Sequence, residues 1–274
     1  MKKIKLTPRL DMIAQLVPRN SRVIDIGTDH GYLPIFLASE DNGDGSSVSL
    51  TQREKDDTEE PSPCIAMSLT QREKDDTKEL SPCVAIIASD INEKPLAITK
   101  KNIIKYDCVN KIELRLGSGL KVLEYNEVDV IIIAGMGGIL ISEMIDEAHD
   151  ILTDQNILIL QPMQAQKELR EYLIQSGFEI IKDLLVKEDN RIYEIIVAKE
   201  GKHIVKDEIY YEIGFHLEMN PKLLAIEFLK KKKVSVNKII SNLVDSSSSD
   251  AENKQSEYRR KLLKIEKILL KHNQ

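Results

Sequence analysis

The chain of 274 residues is long enough for one large domain plus an appendage, and 42% hydrophobic content supports a real core. No stretch approaches the roughly 20 apolar residues of a membrane span, and Cys64, Cys83 and Cys108 show neither metal-ligand spacing nor a disulfide framework, so membrane and metal are not expected and the cytoplasm is. The net charge of −6 is segregated into an acidic stretch at 40–85, a near-neutral body and a basic tail from Asn220 onward.

The opening segment MKKIKLTPRLDMIAQLV puts Leu6, Leu10, Ile13, Leu16 and Val17 on one helical face. No long apolar run follows its lysines, so it does not read as a secretory leader. Residues 22–33, RVIDIGTDHGYL, then read as a short apolar strand entering a glycine-bearing turn. Doubly wound α/β proteins open a nucleotide-type pocket in this way. The turn is not G-x-G-x-x-G, having only Gly27 and Gly31, and it carries Asp25 and Asp29. Carboxylates there would repel a pyrophosphate seeking bare backbone N–H groups. S-adenosylmethionine has no phosphate and carries a positive sulfonium and amino group, so an acidic glycine turn suits it.

Residues 49–67, SLTQREKDDTEEPSPCIAM, are followed at once by the near-copy SLTQREKDDTKELSPCVA. Two copies fall short of the roughly three needed for a solenoid. With the flanking DNGDGSS, the segment at about 40–84 is expected to be a duplicated surface insert without fixed structure. Cys64 and Cys83 recur because the unit recurs. The insert also stretches the spacing from Gly27 to Asp90 to about 63 residues, where roughly 20 separate a glycine loop from the acid that holds a ribose.

Beyond the insert the elements alternate. A strand at 85–90 ends in Asp90, and a helix follows at 94–106. A strand at 111–116 runs into Gly117-Ser118-Gly119. The wholly apolar strand at 128–135 is of the kind buried on both faces, and a helix is expected over 139–152. A strand at 156–162 ends in Gln161-Pro162, before a helix at 165–177 closed by Gly177. The alternation then breaks into two extended runs around Glu188-Asp189-Asn190, an antiparallel hairpin. A parallel sheet finished by a hairpin is the habit of class I methyltransferases, whereas a nicotinamide-binding domain would keep alternating.

In the tail, Ile226, Leu229, Lys233, Val236, Ile240 and Leu243 step by three and four, and Tyr258, Leu262, Ile265 and Leu269 resume after a polar break at 245–250. Two such segments predict an antiparallel helical pair, a coiled coil. From Asn220 on there are thirteen basic and six acidic residues, which suggests a polyanionic partner, RNA or DNA first.

Ligands of an open α/β sheet bind beyond the carboxyl ends of the strands. That places Asp25, Gly27, Asp29 and His30 at the first strand and Asp90 at the second, suited to accept from ribose hydroxyls. The glycines around Ser118 permit close approach of a flat base. Gly135, Met136, Gly137 and Gly138 spend conformational entropy that makes sense where backbone meets ligand. Gln161 and Pro162 stand ready to present a carbonyl or amide to a substrate base.

DIGTDHGYLPI, ASDIN, LGSGL, IIIAGMGG, LILQPM, LREYL and IYEIIVA, in this order, resemble the bacterial tRNA adenine-22 N1-methyltransferases of the TrmK type, as does the opening KLTPRLDMIAQLVP. The resemblance covers 4–38, 85–200 and, more loosely, the tail. It implies an α/β class I methyltransferase domain over 1–200 with a C-terminal helical coiled-coil extension over 201–274. The implied reaction is methyl transfer from S-adenosylmethionine to ring nitrogen 1 of an adenine in tRNA. Carried over motif by motif, Gly27 and Gly31 would line the methionine end, with Asp25 or Asp29 near its amino group. Asp90 and Ile91 would hold the ribose, Gly117 and Ser118 the adenine, and Gly135 and Met136 the sulfonium side. Gln161 and Pro162 would face the target base, with Asp29, His30 and Tyr193 steering or stacking it. Lys230, Lys231, Lys232, Lys233, Arg259, Arg260 and Lys261 would grip phosphates, in a monomer needing no metal. Two departures stand out: the insert, and Ser118 where the family commonly has Asp. The rival readings are a small-molecule or other RNA methyltransferase of the same fold, an NAD-type oxidoreductase and a non-catalytic scaffold.

Overall fold

The computed structural model describes residues 4–39, 83–244 and 249–273. The expected insert lies almost wholly outside the described residues. Helix α1 (Pro8–Leu16) starts where Pro8 follows Thr7, whose hydroxyl caps the Leu10 N–H. Strand β1 (Ser21–Ile26), helix α2 (Tyr32–Ala38), strand β2 (Cys83–Asp90), helix α3 (Glu93–Lys105) and strand β3 (Ile112–Leu116) form the first half. A short 3-10 turn at Gly119–Val122 leads on to strand β4 (Val130–Gly137), helix α4 (Gly138–Asp146), strand β5 (Ile157–Gln164) and helix α5 (Gln166–Gln175). Strands β6 (Phe178–Glu188) and β7 (Arg191–Glu200) follow. Helix α4 is shorter than its sequence period predicts because residues 147–151 close into successive tight turns.

The seven strands of the described residues form one sheet in the order β3-β2-β1-β4-β5-β7-β6. All neighbours from β3 to β5 are parallel; β7 runs antiparallel to both β5 and β6. The hairpin is present as expected, but its second strand enters the sheet and its first becomes the edge. The long apolar strands follow from burial on both faces. On β4, Val130 and Ile132 join a core with α1, α2 and α3, while Ile131 and Ile133 join a second core with α4 and α5. Each such fully buried aliphatic side chain contributes about 1.5–3 kcal/mol.

A third apolar cluster lies under the C-terminal part, where Leu185 of β6 meets Ile209 and Ile213 of a short helix α6 (Ile209–Ile213). Ala225, Phe228 and Leu229 of helix α7 (Lys222–Val244) and Ile265 of helix α8 (Ser249–Asn273) complete it. The two long helices pack against each other and against the body, burying Leu229 and Ile265 of the stepping residues and partly covering Val236 and Leu269. The Asn220 side chain ties the approach to α7 onto the sheet edge: Oδ1 accepts from the Leu185 N–H at 2.6 Å and Nδ2 donates to the Asp183 carbonyl at 3.1 Å.

Candidate active site

The carboxyl ends of β1, β2, β4 and β5 gather most of the residues singled out in the sequence. Asp25, near the end of β1, is only 7% exposed. Burial pushes its carboxyl up to about 7, and the nearby Asp90 charge adds to the rise. After Ile26 the chain turns through Gly27 at φ +73, and the Gly27 and Thr28 N–H groups both donate to the Ser89 carbonyl, at 2.8 and 2.9 Å. A Cβ on Gly27 would collide with the terminal methyl of Met136, so the tips of β1 and β4 touch where this residue has no side chain. The Ser89 hydroxyl, beside Asp90, is buried with no hydrogen-bond partner among the described residues.

The next residues form an exposed ledge. The His30 ring stacks on Tyr32 at 5.7 Å with 7° between planes, and its Nε2 lies 3.4 Å from Asp29 Oδ1. The His30 carbonyl accepts from Asn102 Nδ2 at 2.8 Å, which holds the ledge to α3. Gly31 backs directly onto the Thr99 side chain.

At the end of β2, Asp90 is 9% exposed. Its Oδ1 accepts from the Asn92 N–H at 2.8 Å, and its carbonyl accepts from the Gly117 N–H at 3.0 Å, lashing the β3 turn to β2. Ile91 and Leu116 beside it are apolar yet exposed, an arrangement suited to a flat ring. Ser118 is exposed in the same turn.

Strand β4 extends through the glycine run to Gly137, and its pairing with β5 shifts register around Met136. Gln161, fully buried, bridges this irregularity. Its Oε1 accepts from the Gly135 N–H at 3.2 Å and from Arg9 Nη1 at 2.5 Å, while Nε2 donates to the Pro162 carbonyl at 3.0 Å. The Arg9 guanidinium stands 5.2 Å from the centre of the Tyr193 ring. Gly135, Gln161, Pro162 and Tyr193 therefore meet around Arg9, a residue not singled out in the sequence. Arg9 lies off the apolar stripe of α1, and only its place in the opening motif KLTPRLDMIAQLVP marks it.

The basic residues of the tail divide into two groups. Lys231 pairs with Glu227 at 3.1 Å and donates to the Asn190 carbonyl. Lys232 pairs with Glu194 at 3.2 Å, Lys233 with Glu266 at 2.8 Å and Lys261 with Glu212 at 3.0 Å. Lys230, Arg259 and Arg260 are exposed. A buried charge network also went unread: Arg170 bonds Asp183 and Glu194, each at 2.7 Å, and the Tyr211 carbonyl at 3.0 Å. The motifs LREYL and IYEIIVA contain Arg170 and Glu194, so this network gives those motifs a structural reason.

Comparison with known proteins gives a family model, tRNA (adenine(22)-N(1))-methyltransferase, matching residues 79–267, and a general methyltransferase-domain model matching 6–50. The tRNA (adenine(22)-N(1))-methyltransferase of Bacillus subtilis is 29% identical over 236 residues, covering 86% of this chain and 79% of the relative. The crystal structure of a B. subtilis M1A22 tRNA methyltransferase superposes with a TM-score of 0.75 at 24% identity, covering 97% of this chain and all of that one. A Streptococcus pneumoniae protein solved in complex with S-adenosyl-L-methionine superposes with a TM-score of 0.71 at 25% identity over 97% of this chain and 100% of that one.

Proposed function

Because the chain belongs to the tRNA (adenine(22)-N(1))-methyltransferase family, we infer that it methylates ring nitrogen 1 of adenine 22 in tRNA, using S-adenosylmethionine. The observation that carries this reading is the family match across 79–267, which includes the ends of β2, β3, β4 and β5. The residues present fit the cofactor. Asp25 is a buried carboxyl held up at about 7, and a positive amino group is what restores its charge. Asp90 uses one oxygen on Asn92, leaving the other for a ribose hydroxyl. Ile91 and Leu116 offer apolar surface to an adenine ring between the turns of β2 and β3, and Ser118 offers a hydroxyl to its edge. Gly27, Gly31, Gly135 and Met136 complete the walls in this reading.

Bound S-adenosylmethionine supplies an electrophilic methyl group on a positive sulfur. Ring nitrogen 1 of adenine already carries a free lone pair at neutral pH, so no residue has to remove a proton from it. The chain's part is positioning, which supplies a large share of rate when reacting atoms are held about 3–3.5 Å apart and aligned. That nitrogen lies on the pairing edge of the base, so the nucleotide has to leave its stack. In this reading Asp29, His30 and Tyr193 steer or stack the extruded base, while Gln161 and Pro162, both buried, support the β4 and β5 tips beside it.

We assign methyl transfer to residues 1–200 and RNA grip to 201–274, with Lys230, Arg259 and Arg260 as the exposed contacts and Lys231, Lys232, Lys233 and Lys261 contributing charge from within their ion pairs. Leu229 and Ile265 of the two tail helices are buried within one chain, and in our reading the protein is a monomer. Among the described residues no helix is long and apolar enough to cross a membrane, and no group of three or more potential ligands could hold a metal ion. The substrate places the enzyme in the cytoplasm. The test is transfer of label from S-adenosylmethionine to bacterial tRNA, with nucleoside analysis. Label in 1-methyladenosine at position 22 is expected; label elsewhere, or in a small molecule alone, overturns the assignment.

A further inference from the structure

We propose that Arg9 is a positioning residue for methyl transfer, acting through Gln161 to fix the tips of β4 and β5 that wall the target base. The inference rests on the methyltransferase reading above.

The pairing of β4 with β5 is irregular at the site. Ala134 pairs with Gln161, Met136 with Pro162 and Gly137 with Gln164, with register shifts on both sides of Met136. Among these pairs Gly135 is skipped, so its N–H is left out of a ladder that resumes at Met136 and Gly137. Such irregularities re-aim backbone next to active sites. A side chain takes the place of the missing ladder bond: Gln161 Oε1 accepts from the Gly135 N–H on β4, and Nε2 donates to the Pro162 carbonyl on β5.

Arg9 then adds a second donor that locks the amide in that orientation. An arginine has only donors, and Arg9 Nη1 lies 2.5 Å from Gln161 Oε1. With two donors on one side and a carbonyl on the other, a single amide orientation satisfies every partner. The Arg9 bond is charge-assisted, hence shorter and stronger than the 3.2 Å bond from Gly135.

Arg9 is itself held before any ligand arrives. Its backbone N–H donates to Glu188 Oε2 at 3.1 Å, and its guanidinium rests on Tyr193. Its Nε is buried with no hydrogen-bond partner among the described residues, a cost that an arginine kept only for stability would not carry. Helix α1 thereby becomes part of the active site, although it precedes the first strand of the sheet.

The experiment compares wild type, Arg9→Met, Arg9→Lys, Gln161→Leu and the double variant Arg9→Met/Gln161→Leu, in the full chain with tRNA. Readouts are kcat at saturating tRNA, KM for tRNA, Kd for S-adenosylmethionine and Tm. Arg9→Met is expected to lower kcat by about 10–100-fold, since small misplacement at a reacting centre has effects of this size, with cofactor Kd and Tm close to wild type. The double variant should be no worse than about twofold below the poorer single variant, because contacting residues acting in one chain of bonds are not additive. Arg9→Lys keeps bulk and charge but loses the planar fork that stacks on Tyr193, so it should fold normally and still lose about tenfold in kcat. Multiplying effects in the double variant, wild-type kcat in Arg9→Lys, or a loss of cofactor affinity and Tm in step with kcat overturns the proposal. A wild-type chain that leaves tRNA unmethylated instead overturns the function, and the inference with it.

Discussion

Lys232 Nζ on α7 lies 3.2 Å from one oxygen of Glu194, and Arg170 holds the other oxygen at 2.7 Å. One buried carboxylate on β7 thus joins the tail to α5 and, through Arg170, to Asp183 of β6. Its neighbour Tyr193 is the ring under Arg9, so the tail is anchored one residue from the proposed target-base wall.

Arg170→Met should be strongly destabilising, by about 3–5 kcal/mol, because it strands Asp183 and Glu194 without their shared partner. Lys232→Met should cost about 1 kcal/mol, since that lysine reaches water. Burial alone would raise the Glu194 carboxyl, but Lys232 and Arg170 outweigh it and hold it below 4.5. A depressed acid stabilises the fold above its unfolded value and loses that contribution as pH falls through the folded one. Acid unfolding of wild type should therefore set in below pH 4.5, and urea titrations at pH 7 and below 4.5 should show Arg170→Met losing the pH-dependent part.

Asp25 has the opposite sign. With its carboxyl at about 7, the folded apo protein prefers the protonated form, and this group's contribution to stability falls as pH climbs from 3.8 through about 7. Asp25→Asn should therefore raise the apo Tm at pH 8. Cofactor binding to the carboxylate should strengthen as pH rises towards 7, by up to about tenfold per unit. Asp25→Asn should flatten that slope and weaken binding by about 10–100-fold, the scale of one charged hydrogen bond. The ligand's own amino group titrates against both proteins, so the difference between their calorimetric pH profiles isolates Asp25.

Two glycines should fail in different ways. Gly27→Ala meets a left-handed φ and the movable end of Met136, so about 1–2 kcal/mol of stability is lost and cofactor affinity falls. Gly138→Ala drives a methyl into the Ala165 carbonyl, which is backbone, and should destabilise more. Paired measurements of Tm and cofactor Kd will separate them; equal losses of both in the two variants would contradict this account.

Charge reversal at Lys230, Arg259 and Arg260 should weaken tRNA binding without moving Tm or cofactor Kd. Each lost phosphate contact should reduce the slope of log K against log salt by about 1. Changing Lys233 or Lys261 should lower Tm as well, because each holds an ion pair with another helix. Filter-binding titrations across a salt series read both effects.

The sequence by itself determined the strands and the break in alternation, while β4 and β5 run on to Gly137 and Gln164, two residues past the ends it marked. Those signals are local: apolar runs such as Val130–Ile133, turn residues at Gly27 and Gly117, and a two-residue hairpin turn at 189–190. It also determined the family, since the motifs lie in order along the chain. Only the tertiary structure decided that β7 enters the sheet ahead of β6, because both orders satisfy the same alternation of side chains. It decided too that several tail lysines are ion-paired, since Glu194, Glu212 and Glu266 lie far from them in sequence. Arg9 was hidden for the same reason. Its partner Gln161 is 152 positions away, and no local pattern shows that the start of α1 meets the place where the β4–β5 ladder shifts register.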